Sequence, residues 1–273
     1  MKNVFFLMLI ILPFVFFACG DHNDEPSNTN NHNKTTVTVN GVSFNMIKVN
    51  GGTFTMGASN DDTEAEDWWK PAHQVSLSSF SIGETEVTQE LWQAVMQNNP
   101  SKYKGNSQLP VESVSWYTCQ QFIKRLNELT GKKFRLPTEA EWEFAARGGV
   151  MSKGYKYSGS NNIGDVTWYE LSDVGTTPTK SVAGRSPNEL GIYDMSGNVM
   201  EWCQDFYNGV SGYSNEAQTN PLVEIESPYY DFGNRILRGG SWWSDYKKEF
   251  RVIARACNVP SGAYPYFGLR LAM

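Results

Sequence analysis

From Val37 to Val49 apolar and polar residues partly alternate, and Asn40-Gly41 interrupts them, a pattern that predicts a β-hairpin. Thr53–Gly57 and Gln74–Thr85 read as further short strands, and the acidic stretch Ala58–Pro71 between them reads as loop. Three helices follow. Thr88 is placed to cap Gln89–Gln97, with Leu91, Trp92 and Val95 on one side. Trp116, Cys119, Phe122, Ile123, Leu126 and Leu129 recur at helical spacing, and Gly131 supplies the stop. Thr138-Glu139-Ala140-Glu141 forms a capping box for a third helix that stops at Gly148-Gly149. Beyond residue 150 periodicity nearly vanishes, and Gly, Pro, Asn and aromatic residues punctuate short segments to the end. Helices early and irregular β structure late argue against a βαβ repeat and for an α+β domain.

The N-terminus carries a different pattern. Lys2 precedes Val4–Phe17, an almost unbroken apolar run that is short for a membrane span and has the shape of a signal-peptide core. Ala18-Cys19-Gly20 closes it. A small residue followed by Cys at that boundary resembles the lipobox of bacterial lipoproteins. The resemblance implies cleavage before Cys19, a lipid on Cys19, and attachment to the outer membrane or cell surface. The alternative is an ordinary signal peptide with an incidental Cys. Gly20–Thr36 is rich in Asn, Thr and Asp and reads as a flexible tether. Its acids Asp21, Asp24 and Glu25 resemble the surface-export signals of Bacteroidetes lipoproteins. The expected organisation is a signal peptide over 1–18, a tether over 19–36 and one domain over 37–273.

Charge and composition narrow the chemistry. With 23 basic and 29 acidic side chains, net −6, the chain lacks the basic excess of a nucleic-acid binder. The 9 Trp, 13 Tyr, 15 Phe, 24 Gly and 12 Pro suggest a loop-rich body held by large rings. Only 3 His occur, and His22 and His32 lie in the polar N-terminal stretch, so a three-His metal centre is excluded within one chain. His73 reads as a hydrogen-bonded structural residue rather than a base. Glu139 and Glu143 read as solvated neighbours on a helix surface. No G-x-S-x-G elbow, phosphate loop or dinucleotide fingerprint is present.

Several ordered blocks stand out: Gly51-Gly52-Thr53-Phe54-Thr55-Met56-Gly57, Glu86-Val87-Thr88, and Phe134-Arg135-Leu136-Pro137-Thr138-Glu139-Ala140-Glu141-Trp142-Glu143. Gly191-Ile192-Tyr193-Asp194-Met195-Ser196-Gly197-Asn198-Val199-Met200-Glu201-Trp202, Arg238-Gly239-Gly240-Ser241-Trp242 and Gly268-Leu269-Arg270-Leu271-Ala272 complete them. Together they resemble the formylglycine-generating enzyme (sulfatase-modifying factor) family over residues 40 to 273. The resemblance implies a C-type-lectin-like α+β fold with little regular secondary structure. Family members share the fold but not one activity. Trp142, Trp202 and Trp242 read as core rings.

Asp194, Gly197, Val199 and Glu201 fall at offsets 0, 3, 5 and 7. Two carboxylates and two backbone carbonyls on one loop suit a hard, oxygen-loving cation. The alternative is that the acids cap turns or pair with arginines. The resemblance implies a structural Ca²⁺ on these four residues. It also implies catalysis by two copper-binding cysteines spaced C-x4-C, because soft sulfur holds Cu(I). Here those positions carry Lys247 and Val252, which argues against copper. Cys119 reads as a small buried hydrophobe, and a Cys119–Cys203 disulfide is one open pairing.

Two function classes remain. One is a non-catalytic envelope module that binds a glycan or protein through C-terminal rings: Trp243, Tyr246, Phe250, Tyr264 and Tyr266. A variant is a displayed receptor diversified by a retroelement. The other class is an oxidase acting on sulfatase cysteines.

Overall fold

The computed structural model describes Met1 and residues 33–168, 179–207, 213–224 and 233–273; the expected signal peptide after Met1, Cys19 and the tether up to residue 32 lie outside the described residues. In chain order the strands are β1 (Lys34–Val39), β2 (Val42–Val49), β3 (Gly52–Met56), β4 (His73–Leu77), β5 (Phe80–Gly83), β6 (Met200–Phe206), β7 (Gln218–Thr219), β8 (Arg235–Arg238), β9 (Arg255–Asn258) and β10 (Phe267–Gly268). The helices that build the site are α1 (Gln89–Met96), α2 (Trp116–Thr130) and α3 (Glu139–Ala146).

β1 and β2 form the expected antiparallel hairpin. Asn40 and Gly41 have φ of 48° and 82°, the left-handed pair that a tight two-residue turn requires. β1 starts at Lys34, earlier than the alternation indicates, because its first three residues are all exposed and carry no pattern. β5 pairs with the other edge of β2. β3, β4 and β7 make a second sheet, and β10-β6-β8-β9 a third. β10 runs parallel to β6, bringing the C-terminal segment beside Met200 and Glu201.

The helix caps follow local chemistry. Thr88 Oγ1 accepts the Leu91 N–H at 3.2 Å. Ser115 and Thr118 cap α2 reciprocally, and Gly131 ends it at φ 66°. Thr138 and Glu141 form the box at the start of α3. All eight residues of α3 are buried, so this helix has no solvent face. It runs through one apolar cluster, with Trp142, Phe144, Val75, Ile236 and Val252. A second cluster joins α1 and α2 to the third sheet through Leu91, Trp92, Phe122, Trp202 and Leu237. Trp142 and Trp202 are fully buried. Trp242 departs from the core reading: it is half-buried and stands edge-on to Trp243 at 5.4 Å.

Candidate functional site

Burial of α3 changes the role of its acids. Glu139 and Glu143 are not solvated neighbours; they are 3% and 0% exposed and anchor a buried ionic frame. Glu139 accepts Arg255 Nε at 2.7 Å and Nη2 at 2.6 Å, and Tyr213 Oη at 3.1 Å. Glu143 Oε1 accepts Arg147 Nη2 at 2.7 Å and the Gly57 N–H at 2.9 Å. Its Oε2 accepts Arg238 Nη2, while Arg238 Nη1 donates to the Ala254 carbonyl. Burial pushes the Glu143 carboxyl up, but Arg147 and Arg238 outweigh it and hold it below the ordinary range. Asp205 accepts the Glu139 N–H at 2.8 Å and the Val223 N–H at 3.0 Å. Burial first, and the Glu139 charge second, push it to about 7. The sequence misleads here because two of the arginine partners, Arg238 and Arg255, lie about a hundred residues away.

This frame supports a cleft. Arg238 and Arg255 line a cavity of about 320 Å³ whose apolar walls include Trp68, Trp69, Met200, Leu237 and Ala256. Trp69 Nε1 donates to the Arg255 carbonyl at 3.1 Å and so fixes the wall to β9. The ion pair Lys248–Glu66, partly exposed on both sides, also lines the cavity. Met200 leads from the cleft to the aromatic group, since its N–H donates to the Tyr266 carbonyl at 2.8 Å.

The rings there are ordered by stacking. Trp243 and Tyr266 lie nearly parallel with centroids 5.9 Å apart, and Tyr264 and Tyr266 do so at 5.5 Å. Trp243 is 56% exposed, Tyr246 63% and Tyr264 44%, whereas Tyr266 is half-buried. Phe250 does not belong with them. It is 1% exposed and packs against Tyr157 and Val166. The turn Lys247–Phe250 rolls its ring inward, which no periodicity announces.

The positions that the resemblance gives to the copper cysteines carry Val252 and Lys247. Val252 is buried in the α3 cluster and Lys247 opens that short turn. Cys119 and Cys203 are buried in different clusters, Cys257 is half-buried, and all three are free, so the Cys119–Cys203 disulfide is not formed. Burial raises all three thiols, which disfavours the thiolates a metal needs. The residues present do not fit a two-sulfur copper centre.

The loop from Asp194 to Glu201 is stitched to the same region. The Gly197 N–H donates to the Gly239 carbonyl at 2.8 Å, and the Trp242 N–H to the Asn198 carbonyl at 3.0 Å. The Val199 N–H donates to Glu86 at 3.0 Å. Asp194 sits at φ 59° and accepts the Ala183 N–H at 2.7 Å. Burial pushes its carboxyl up to about 6, against the pull of that N–H and of Arg270. Glu201 is paired with Arg270. Among the described residues no three His, Cys, Asp or Glu side chains are grouped to hold a metal. Of the two carboxylates in the expected calcium set, Glu201 is engaged by Arg270 and Asp194 by the Ala183 N–H.

Comparison with known proteins agrees with this architecture. The sulfatase-modifying factor enzyme 1-like domain matches residues 33–273. The chain belongs to that family. A chaperone protein LppX of Paenibacillus barcinonensis is 35% identical over 252 residues, 74% of this chain and 80% of that one. A formylglycine-generating enzyme of Thermomonospora curvata is 28% identical over 294 residues, covering 85% and 94%. Among solved structures, Treponema denticola variable protein 1 superposes with a TM-score of 0.75 at 32% identity, covering 88% of this chain and 98% of that one. The α+β, formylglycine-generating-enzyme-like fold of this family member is thus the one its sequence blocks imply.

Proposed function

We propose that this sulfatase-modifying-factor-like protein is a cell-envelope lipoprotein whose domain binds a glycan or protein without catalysis. The observation that carries the reading is the pair Val252 and Lys247 at the positions of the catalytic thiols. A buried isopropyl group and an ammonium hold no Cu(I), and the nearby Cys257 offers one sulfur, not two. The exposed rings beside the cleft supply what a binding face needs: large, rigid, amphipathic surface. Relatives named as a chaperone and as a variable protein fit a family that keeps its fold while changing its task. Formylglycine generation is tested by incubating the mature protein with copper, oxygen and a peptide carrying a sulfatase cysteine motif. No aldehyde by mass spectrometry is expected. Multiple turnovers would replace this reading with an oxidase.

Anchoring through Cys19 belongs to the same proposal. One acyl chain holds a protein to a membrane only marginally, so stable attachment needs more than one. Cells fed a fatty-acid analogue should label the wild type and not Cys19→Ala. Equal labelling of the two would remove the anchor.

A further inference from the structure

The spacing of Asp194, Gly197, Val199 and Glu201 reads as a calcium loop, yet its Glu201 already holds a side-chain cation. Glu201 Oε1 accepts Arg270 Nη2 at 2.7 Å, and Oε2 accepts Arg270 Nε at 2.9 Å and Trp142 Nε1 at 2.6 Å. Arg270 spends its other donors on backbone oxygens: Nη1 on the Gly83 carbonyl at 2.9 Å and Nη2 on the Tyr193 carbonyl at 2.8 Å. Two carboxylate oxygens and two carbonyl oxygens are the donor class a hard divalent ion would recruit. Both Arg270 and Glu201 are fully buried.

The remaining acids are also engaged. Asp194 Oδ2 holds the Ala183 N–H, and Glu86 holds Asn198 Nδ2 at 2.7 Å and the Val199 N–H. A guanidinium is charged at every working pH and forks onto a carboxylate through two parallel bonds. A divalent ion on the same Glu201 oxygens would have to displace those bonds and would face a like charge at close range.

We propose that Arg270 is the resident cation of this loop, in place of calcium, so that the domain folds and stays folded without a divalent ion. The loop holds Gly239 and Trp242 in register, so this internal cation also sets the position of the aromatic face. The consequence is functional. An exported protein built this way presents its binding face whether free calcium outside the cell is high or absent.

The test is thermal melting of the mature protein in detergent, with a chelator and with excess calcium, beside calorimetric titration of calcium alone. A structural ion at about a hundred times its Kd would raise the midpoint of a domain this size by roughly 5–10 °C. The expected midpoints coincide, and the titration shows no stoichiometric binding. Arg270→Gln should melt well below the wild type in either buffer. Should that variant not fold, the wild-type comparison decides alone. A chelator-induced fall of the wild-type midpoint, or one calcium bound per chain, would overturn the proposal.

Discussion

Arg238→Met is expected to destabilise the domain by about 3–5 kcal/mol, the usual result of removing one partner from a buried ion pair. Arg238 is fully buried, and it bonds Glu143 and the Ala254 carbonyl while lying 3.4 Å from Glu139. Methionine fills much of the volume but leaves Glu143 with Arg147 alone, in an environment that penalises its charge. Adding Glu143→Leu should recover little. Glu143 also accepts the Gly57 N–H and two Arg147 bonds, and leucine would strand those donors. Chemical denaturation of wild type, single and double variants measures this. A single variant within about 1 kcal/mol of wild type would mean the frame is not what holds the cleft, since ordinary surface changes already reach about half that.

The legible part of the fold is the part ruled by short-range chemistry. Asn40-Gly41, Thr88, Gly131 and Thr138 announce turns and caps, because each acts on backbone within four residues of itself. The two buried tryptophans of the ordered blocks, Trp142 and Trp202, are also where their apolar surface requires. What misleads is decided at long range. Glu139 and Glu143 look solvated at helical spacing, but α3 is covered on every side and their arginines arrive from β8 and β9. Glu201 reads either as a cation ligand or as the partner of an arginine, and the arginine that reaches it, Arg270, comes from 69 residues away. Phe250 looks like part of an aromatic face, and a short turn folds it inside. Of the five rings read as ligand-binding, Trp243, Tyr246 and Tyr264 are the ones the fold leaves open.

Those open rings give the second large effect. Trp243 and Tyr264 flank Tyr266 in the stack and are among the exposed large hydrophobic residues of the domain. Exposed aromatic anchors dominate recognition energy, with truncation costing about 2 kcal/mol or more at such positions, roughly thirtyfold in affinity. Neither ring belongs to the two main buried clusters, so removing both should leave the melting midpoint nearly unchanged. The decisive measurement is therefore affinity of the mature wild-type protein and of Trp243→Ala/Tyr264→Ala for ligands recovered from envelope proteins and a glycan set. The expected result is at least a thirtyfold loss in the double variant with an unshifted melt. Affinities within twofold of each other would show that recognition happens elsewhere and would contradict a binding module built on this face.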